Sequence, residues 1–164
     1  MTVIAAQVFD DRIEFAADSQ TSRGWRKETS IGAAKIWHPQ ENLVIGASGL
    51  VKETVMMRAF SRRVRPARPD EEGIAEWILS FDDELRTKAK IGTDNSYLVG
   101  FDGTLWAVRH FEIIRIHDYY AIGSGSDFAL PALMLGANVR QAVEAAIQFD
   151  LYCSGEIVEA SLPR

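Results

Sequence analysis

Residues 2–19 have the sequence TVIAAQVFDDRIEFAADS, in which two apolar runs flank a short polar turn. Residues 2–8 and 12–17 are predicted strands, and the turn Phe9-Asp10-Asp11 favours a hairpin between them. The hairpin begins at Thr2 and leads into the segment Ala16-Ala17-Asp18-Ser19. This stretch therefore predicts a β-hairpin at the beginning of the fold, with Thr2 at its open end.

Thr2 becomes chemically special if Met1 is removed, because one residue then carries both a hydroxyl and a free α-amine. A threonine hydroxyl is a weak nucleophile that needs a base within hydrogen-bond reach, directly or through one water. The α-amine titrates at about 7.7–8.0, far below a lysine side chain, so it can act as that base at neutral pH. Position alone does not distinguish this role from that of an ordinary strand residue.

Composition excludes several other classes of protein. The chain has 164 residues, 47% hydrophobic and 25% charged, which predicts one globular domain over residues 1–164. A net charge of −5 disfavours nucleic-acid binding, although residues 58–68 are rich in arginine. Absence of a long apolar run predicts no membrane span and no signal peptide. A single cysteine, Cys153, is compatible with the reducing cytoplasm, where we expect the protein to reside.

The three histidines, His38, His110 and His117, are scattered without ligand-like spacing. A metal site is therefore not expected. We expect no cofactor either, and the chain contains no phosphate-binding loop pattern for a nucleotide.

Strands in the first half of the chain are followed by two helices. Pro39 is expected to mark the turn between strands 33–37 and 42–47. A helix that begins after Gly49 is expected to end before Pro66. Asp70 is expected to open the next helix, because apolar residues follow it at helical spacing. These apolar residues are Ile74, Trp77, Ile78, Phe81 and Leu85.

The second half repeats that order. Asp102-Gly103 is a strong hairpin signal between strands 96–101 and 104–108. Strands 112–116 and 119–122 are expected to pair with each other, and a short strand at 157–160 ends the series. One helix is expected at 128–135, with Pro131 in its first turn, and Asn138 is expected to cap another. Pairs of strands alternating with pairs of helices predict an α+β fold, a four-layer αββα sandwich.

Several short segments occur in an order that resembles the proteasome β-subunit family, whose compact bacterial form is the HslV-like protease subunit. These segments are Thr2, Ala17-Asp18-Ser19, Lys35-Ile36, Ala47-Ser48-Gly49, Ile122-Gly123-Ser124-Gly125 and Phe149-Asp150-Leu151-Tyr152. The resemblance covers nearly the whole chain. It implies an N-terminal nucleophile (Ntn) hydrolase of the threonine peptidase type, with the αββα architecture.

The resemblance also implies roles for particular residues. Thr2 matches the nucleophile, and Lys35 matches a lysine whose ammonium favours the alkoxide and lowers the proton affinity of the amine. Asp18 matches the aspartate that pairs with this lysine and orients it. Ser48 matches the residue whose backbone N–H receives the oxyanion, although the family usually has glycine there.

Three further residues match positions that support the family's site. Ser124 matches a serine near the amine and the catalytic water. Asp150 and Cys153 match an aspartate and a serine, and here a thiol, which is a weaker donor, replaces the hydroxyl. Ser124 also has a purely structural explanation, because a turn at the N-terminus of a helix favours glycine and serine for its backbone conformation.

The family likeness implies a ring-shaped homo-oligomer that degrades peptides or unfolded proteins, fed by a separate ATP-dependent unfoldase. Only Met1 precedes Thr2, and methionine aminopeptidase generally removes methionine before a small residue. Two alternatives stay open: an Ntn amidohydrolase that acts on a small amide, and a catalytically weak or inactive assembly protein. Ser48 and Cys153, which depart from the family pattern, keep the second alternative open.

Overall fold

The computed structural model describes residues 2–23, 26–28 and 34–164, with side chains described at 2–21 and 34–164. The strands are β1 Ile4–Val8, β2 Arg12–Ala17, β3 Thr21–Arg23, β4 Arg26–Glu28, β5 Ile36–Gln40, β6 Leu43–Ser48, β7 Ser96–Phe101, β8 Thr104–Arg109, β9 Glu112–Ile116, β10 Tyr119–Ile122 and β11 Val158–Pro163. The helices are α1 Val51–Ser61, α2 Glu71–Ala89, α3 Ser126–Met134 and α4 Val139–Phe149.

Two antiparallel sheets form the centre of the fold. The first has the strand order β10-β1-β2-β11, and the second has the order β5-β6-β7-β8-β9. The predicted hairpin of residues 2–19 is confirmed as β1 and β2, with Ile4 opposite Ala17 and Val8 opposite Ile13. Because the turn fixes that register, Thr2 and Asp18 emerge from the same end of the hairpin.

Three apolar cores separate four layers, which confirms the predicted αββα sandwich. Side chains from both sheets, such as Phe15 and Leu98, fill the middle core. Helices α1 and α2 cover the second sheet through residues such as Phe60 and Phe81. Helices α3 and α4 cover the first sheet through small residues such as Ala142. None of the helices in the described ranges is long and apolar enough to cross a membrane.

Local signals in the sequence fix the starts of two helices, α2 and α4. The side chain of Asp70 accepts the Gly73 N–H at 2.7 Å, so it caps α2 as predicted. Asn138 caps α4 and forms a reciprocal capping box with Gln141. Helix α1 ends at Ser61, before Pro66, as expected.

Long-range pairing overturns one sequence prediction. Strands β9 and β10 do not pair with each other, since β9 pairs with β8 and β10 pairs with β1. The connection at His117 and Asp118 therefore crosses from one sheet to the other. A local turn pattern cannot distinguish a hairpin from a crossing of this kind.

Two prolines also lie elsewhere than predicted. Pro39 lies inside β5, where the register shifts between Trp37 and Gln40, rather than in the turn. A bulge tolerates proline because its missing N–H falls outside the regular ladder. Pro131 lies in the second turn of α3 rather than in the first.

The predicted start of a strand at Ala33 lies outside the described residues. The hairpin of β3 and β4 was not predicted.

Candidate active site

Thr2 lies just before β1, an inner strand of the first sheet, and is only 5% exposed. Its N–H donates to Ser124 Oγ at 3.3 Å, and its carbonyl accepts the N–H of Gly125 at 3.2 Å. Both backbone groups of Thr2 are therefore held by the turn that follows β10. This contact joins residues that are 122 positions apart in the sequence.

The carboxylate of Asp18 connects this end of the hairpin to Lys35. Asp18 Oδ1 accepts the N–H of Val3 at 3.0 Å and the Lys35 ammonium at 2.6 Å. The pair is buried, with side chains 9% exposed for Lys35 and fully covered for Asp18. Asp18 Oδ1 thus fixes the Lys35 ammonium relative to Val3, the residue that follows Thr2.

The other oxygen of Asp18 is held by residues that the sequence analysis did not single out as site residues. Asp18 Oδ2 accepts the N–H of Gln20 at 3.3 Å and the N–H of Ser154 at 3.2 Å. Ser154 Oγ donates in turn to Gln20 Oε1 at 2.5 Å. Gln20 directly follows the segment Ala17-Asp18-Ser19, but its residue type alone carried no signal for this role.

Lys35 is held on the second sheet, since its carbonyl accepts the N–H of Ala47 at 2.9 Å. Burial lowers the pKa of Lys35, and the negative charge and hydrogen bond of Asp18 oppose that effect only in part. The ammonium therefore releases its proton more readily than a free lysine does. Such a group can stabilise negative charge nearby and still respond to pH.

Ser48 and Thr2 both lie against Gly123. Gly123 has φ +96°, and a Cβ added there would lie 2.1 Å from the Thr2 carbonyl oxygen and 3.0 Å from Ser48 Oγ. Only glycine fits this close approach between the end of β6 and the turn after β10. The two sheets therefore contribute to one site along this edge.

Asp150 and Cys153 lie behind the turn that holds Thr2. Cys153 Sγ donates to Asp150 Oδ2 at 3.2 Å, and the N–H of Tyr152 donates to Asp150 Oδ1 at 2.9 Å. Burial tends to raise the pKa of Asp150, but hydrogen bonds from Tyr152, Ser124 and Cys153 outweigh it and leave that pKa lowered. Asp150 is thus a carboxylate linked to Ser124.

Cys153 itself is a buried, neutral thiol. Burial, together with the charge of Asp18 and the hydrogen bond to Asp150, raises the pKa of Cys153 to about 12. Since the thiolate is the reactive form of cysteine, this environment suppresses nucleophilic chemistry at Cys153. Its contacts suit it to supporting neighbouring polar groups.

All six predicted site residues therefore belong to one connected region: Thr2, Asp18, Lys35, Ser48, Ser124 and Asp150. A cavity of about 300 Å³ opens beside Gly123, with Ser126, Arg109 and Glu112 in its lining. Over the described part of the chain, no group of three or more His, Cys, Asp or Glu residues is arranged to hold a metal ion.

Solved structures share this fold over almost the whole chain. BPH from Thiobacillus denitrificans, in complex with epoxomicin, superimposes with a TM-score of 0.88 at 18% identity, covering 98% of each chain. A second BPH structure gives 0.88 at 19% identity, covering 98% of this chain and 97% of that one. The eukaryotic HslV from Trypanosoma brucei gives 0.76 at 20% identity, covering 99% of each chain.

These TM-scores show a shared fold, which confirms the resemblance to HslV-like proteins at that level. No family model matches the sequence. No curated protein matches it either.

Proposed function

We propose that this chain is the threonine-type endopeptidase subunit of a self-compartmentalised, proteasome-like protease, with Thr2 as nucleophile after removal of Met1. The observation that carries the proposal is the carboxylate of Asp18, which accepts both the Val3 N–H and the Lys35 ammonium. Through this carboxylate, a buried cation is linked to the residue that directly follows Thr2, whose hydroxyl would otherwise be a weak nucleophile. Met1 lies outside the described residues.

In the proposed reaction, the Thr2 hydroxyl attacks the carbonyl carbon of a peptide bond. The free α-amine of Thr2 takes the hydroxyl proton through a water, and Ser124 Oγ, 3.3 Å from the Thr2 nitrogen, orients that amine. The positive charge of Lys35 favours the neutral amine, because two cations close together repel each other.

The tetrahedral intermediate carries its negative charge on the former carbonyl oxygen. A backbone N–H at Ser48 is the proposed donor to that oxygen, and a lost donor of this kind costs about 10²–10³ in rate. The C–N bond then breaks, the proton returns to the departing amine, and an ester to Thr2 remains. Water hydrolyses the ester by the same proton route and restores Thr2.

The proposed substrate is an extended peptide or unfolded protein, and the proposed assembly is a ring-shaped homo-oligomer. Similarity of fold to HslV supports both. A separate ATP-dependent unfoldase would unfold folded proteins and feed them to the assembly. The structure of BPH in complex with epoxomicin supports the use of that compound as an active-site probe for this chain.

Replacement of the nucleophile tests the proposal most simply. T2A should abolish hydrolysis of fluorogenic peptides, because alanine lacks the hydroxyl. It should leave the size of the assembly unchanged, because the backbone N–H and carbonyl of residue 2 keep their contacts with Ser124 and Gly125. T2S, which retains a hydroxyl, is the matched control and should keep measurable activity. Full activity in T2A would move the nucleophile elsewhere. A wild-type assembly that neither hydrolyses peptides nor reacts with epoxomicin would instead favour the inactive assembly protein.

A further inference from the structure

The turn that carries the proposed oxyanion donor is held by side chains distant from it in the sequence. It consists of Ser48, Gly49 and Leu50, between the end of β6 and the start of α1. Gly49 has φ +138°, a conformation that side chains rarely adopt. Ser48 pairs with Ser96 as the last pair in the ladder between β6 and β7. The backbone after Ser48 therefore needs contacts other than the ladder to keep its orientation.

The side-chain amide of Asn95 supplies these contacts. Asn95 Oδ1 accepts the N–H of Leu50 at 2.5 Å, and Asn95 Nδ2 donates to the carbonyl of Leu50 at 3.1 Å. A second Nδ2 hydrogen bond goes to Thr54 Oγ1 at 3.0 Å. The amide also packs directly on Gly49, where an added Cβ would lie 2.1 Å from Asn95 Oδ1. Both polar groups of the Leu50 backbone are thereby held by a single side chain.

Glu53 fixes Asn95 in turn. Its carboxylate accepts the N–H of Asn95 at 3.1 Å, the N–H of Asp94 at 3.0 Å and the hydroxyl of Tyr97 at 2.7 Å. Glu53 and Tyr97 are fully buried, and Asn95 is 2% exposed. A buried network in which each polar group has a partner is rigid, because any rotation leaves a group without its hydrogen bond.

We propose that Asn95, held by Glu53, is a positioning residue that keeps Ser48 and Gly49 in the orientation that presents their backbone N–H groups to the developing oxyanion. The inference rests on the proposed function. Asn95 touches no reacting atom in this scheme, and it acts through the backbone of Gly49 and Leu50. An oxyanion donor contributes only when it points to where charge develops, so the effect belongs to the transition state rather than to substrate binding.

The same loop offers a matched control. Thr93 Oγ1 donates to Asp82 Oδ1 at 3.0 Å, and Thr93 is 9% exposed, so T93V removes a similarly buried hydrogen bond two residues away. That bond ties the loop to α2 and makes no contact with the turn. Both N95A and T93V should lower the melting temperature. Only N95A should change catalysis.

The experiment compares wild type, N95A, N95D and T93V in peptide hydrolysis and in binding of a peptide boronate, which forms a tetrahedral adduct with a hydroxyl. For N95A we expect kcat to fall about 10- to 100-fold and boronate affinity to fall in parallel, with KM changed less than about threefold. N95D keeps an acceptor for the Leu50 N–H and should recover part of kcat. Hydrogen exchange should show faster exchange of the Leu50 amide in N95A and unchanged exchange in T93V.

The outcomes separate this inference from the proposed function. If T2A is inactive and N95A keeps its kcat and boronate affinity, the positioning role is wrong while the nucleophile stands. Equal losses of kcat in N95A and T93V would also overturn the role, because they would reflect general loosening of the loop. If N95A is poorly folded, N95D decides: a parallel fall in kcat and boronate affinity with KM nearly unchanged supports the positioning role, and wild-type kcat and boronate affinity contradict it. If wild type shows no hydrolysis and Thr2 is unreactive, the proposed function and this inference both fail.

Discussion

Asp18 and Lys35 form a buried ion pair on which several backbone contacts of the site depend. Asp18 accepts N–H groups from Val3, Gln20 and Ser154 besides the ammonium. D18A should lower the free energy of unfolding by about 3–5 kcal/mol. Removing one partner of a buried pair leaves the Lys35 ammonium and the backbone N–H groups that donated to Asp18 buried without an acceptor. Denaturant unfolding measures this loss. D11A, which breaks the exposed pair between Asp11 and Arg12, is the control and should have little effect. A similar small loss in both variants would contradict the structural role of Asp18.

The lowered pKa of Lys35 predicts a pH effect on activity. Deprotonation removes the cation that favours the alkoxide, so kcat/KM should fall on the alkaline side at a pH below the ordinary lysine pKa of about 10.4. Arginine stays charged over this range, so whatever activity K35R retains should lack this alkaline limb. The measurement is a pH profile of kcat/KM for both proteins. The same alkaline fall of kcat/KM in K35R would show that a group other than Lys35 causes it.

Gly123 and Gly136 provide a matched pair of positions. Both have positive φ, but an added Cβ at Gly123 meets the Thr2 carbonyl, whereas Gly136 has open space around it. G123A should lower kcat at least about 100-fold through displacement of Thr2, since a shift near 1 Å can cost that much. G136A incurs the backbone strain alone and should leave kcat unchanged. Equal activity in the two variants would contradict the close packing against Thr2.

At the scale of elements, Asp82 connects α2 to the loop before β7. It accepts hydrogen bonds from Arg86 and from the N–H and hydroxyl of Thr93. Burial tends to raise the pKa of Asp82, but these bonds outweigh it, so that pKa lies below its unfolded value. Its stabilisation is therefore present above the unfolded pKa and is lost as pH falls through the folded pKa. D82N should be less stable than wild type at pH 7, and the difference should shrink on acidification, as urea unfolding at several pH values can show. A difference that grows toward low pH would contradict this sign.

Sequence patterns identified most elements because their signals are local. Asp70 and Asn138 are cap residues, and Asp102-Gly103 forms a turn whose residues both have positive φ. The pairing of β9 and β10 with different sheets was missed, since strand partners depend on contacts distant in sequence. Thr2 was noticed from its position after Met1, whereas the other five candidate site residues were identified only through a family resemblance. Asn95 carried no signal, because its partners Leu50 and Glu53 lie more than 40 positions away.

At the scale of the whole molecule, exposed apolar residues near α3 and α4 predict an assembly. Leu135, Phe149 and Leu151 are 81%, 67% and 78% exposed, which costs solvation free energy in an isolated chain. Light scattering should give a mass that is a multiple of 18.3 kDa. L151E should reduce that mass, whereas L79E, on the exposed face of α2, should not. A fully active monomer would contradict the chambered assembly.

The central claim is that Thr2, freed of Met1, is the nucleophile. Its most direct test is mass spectrometry of the purified protein before and after treatment with epoxomicin. We predict an intact mass that lacks one methionine and a single adduct that tandem spectra locate on Thr2. Active protein that retains Met1, or an adduct confined to Cys153 or another residue, would contradict the account.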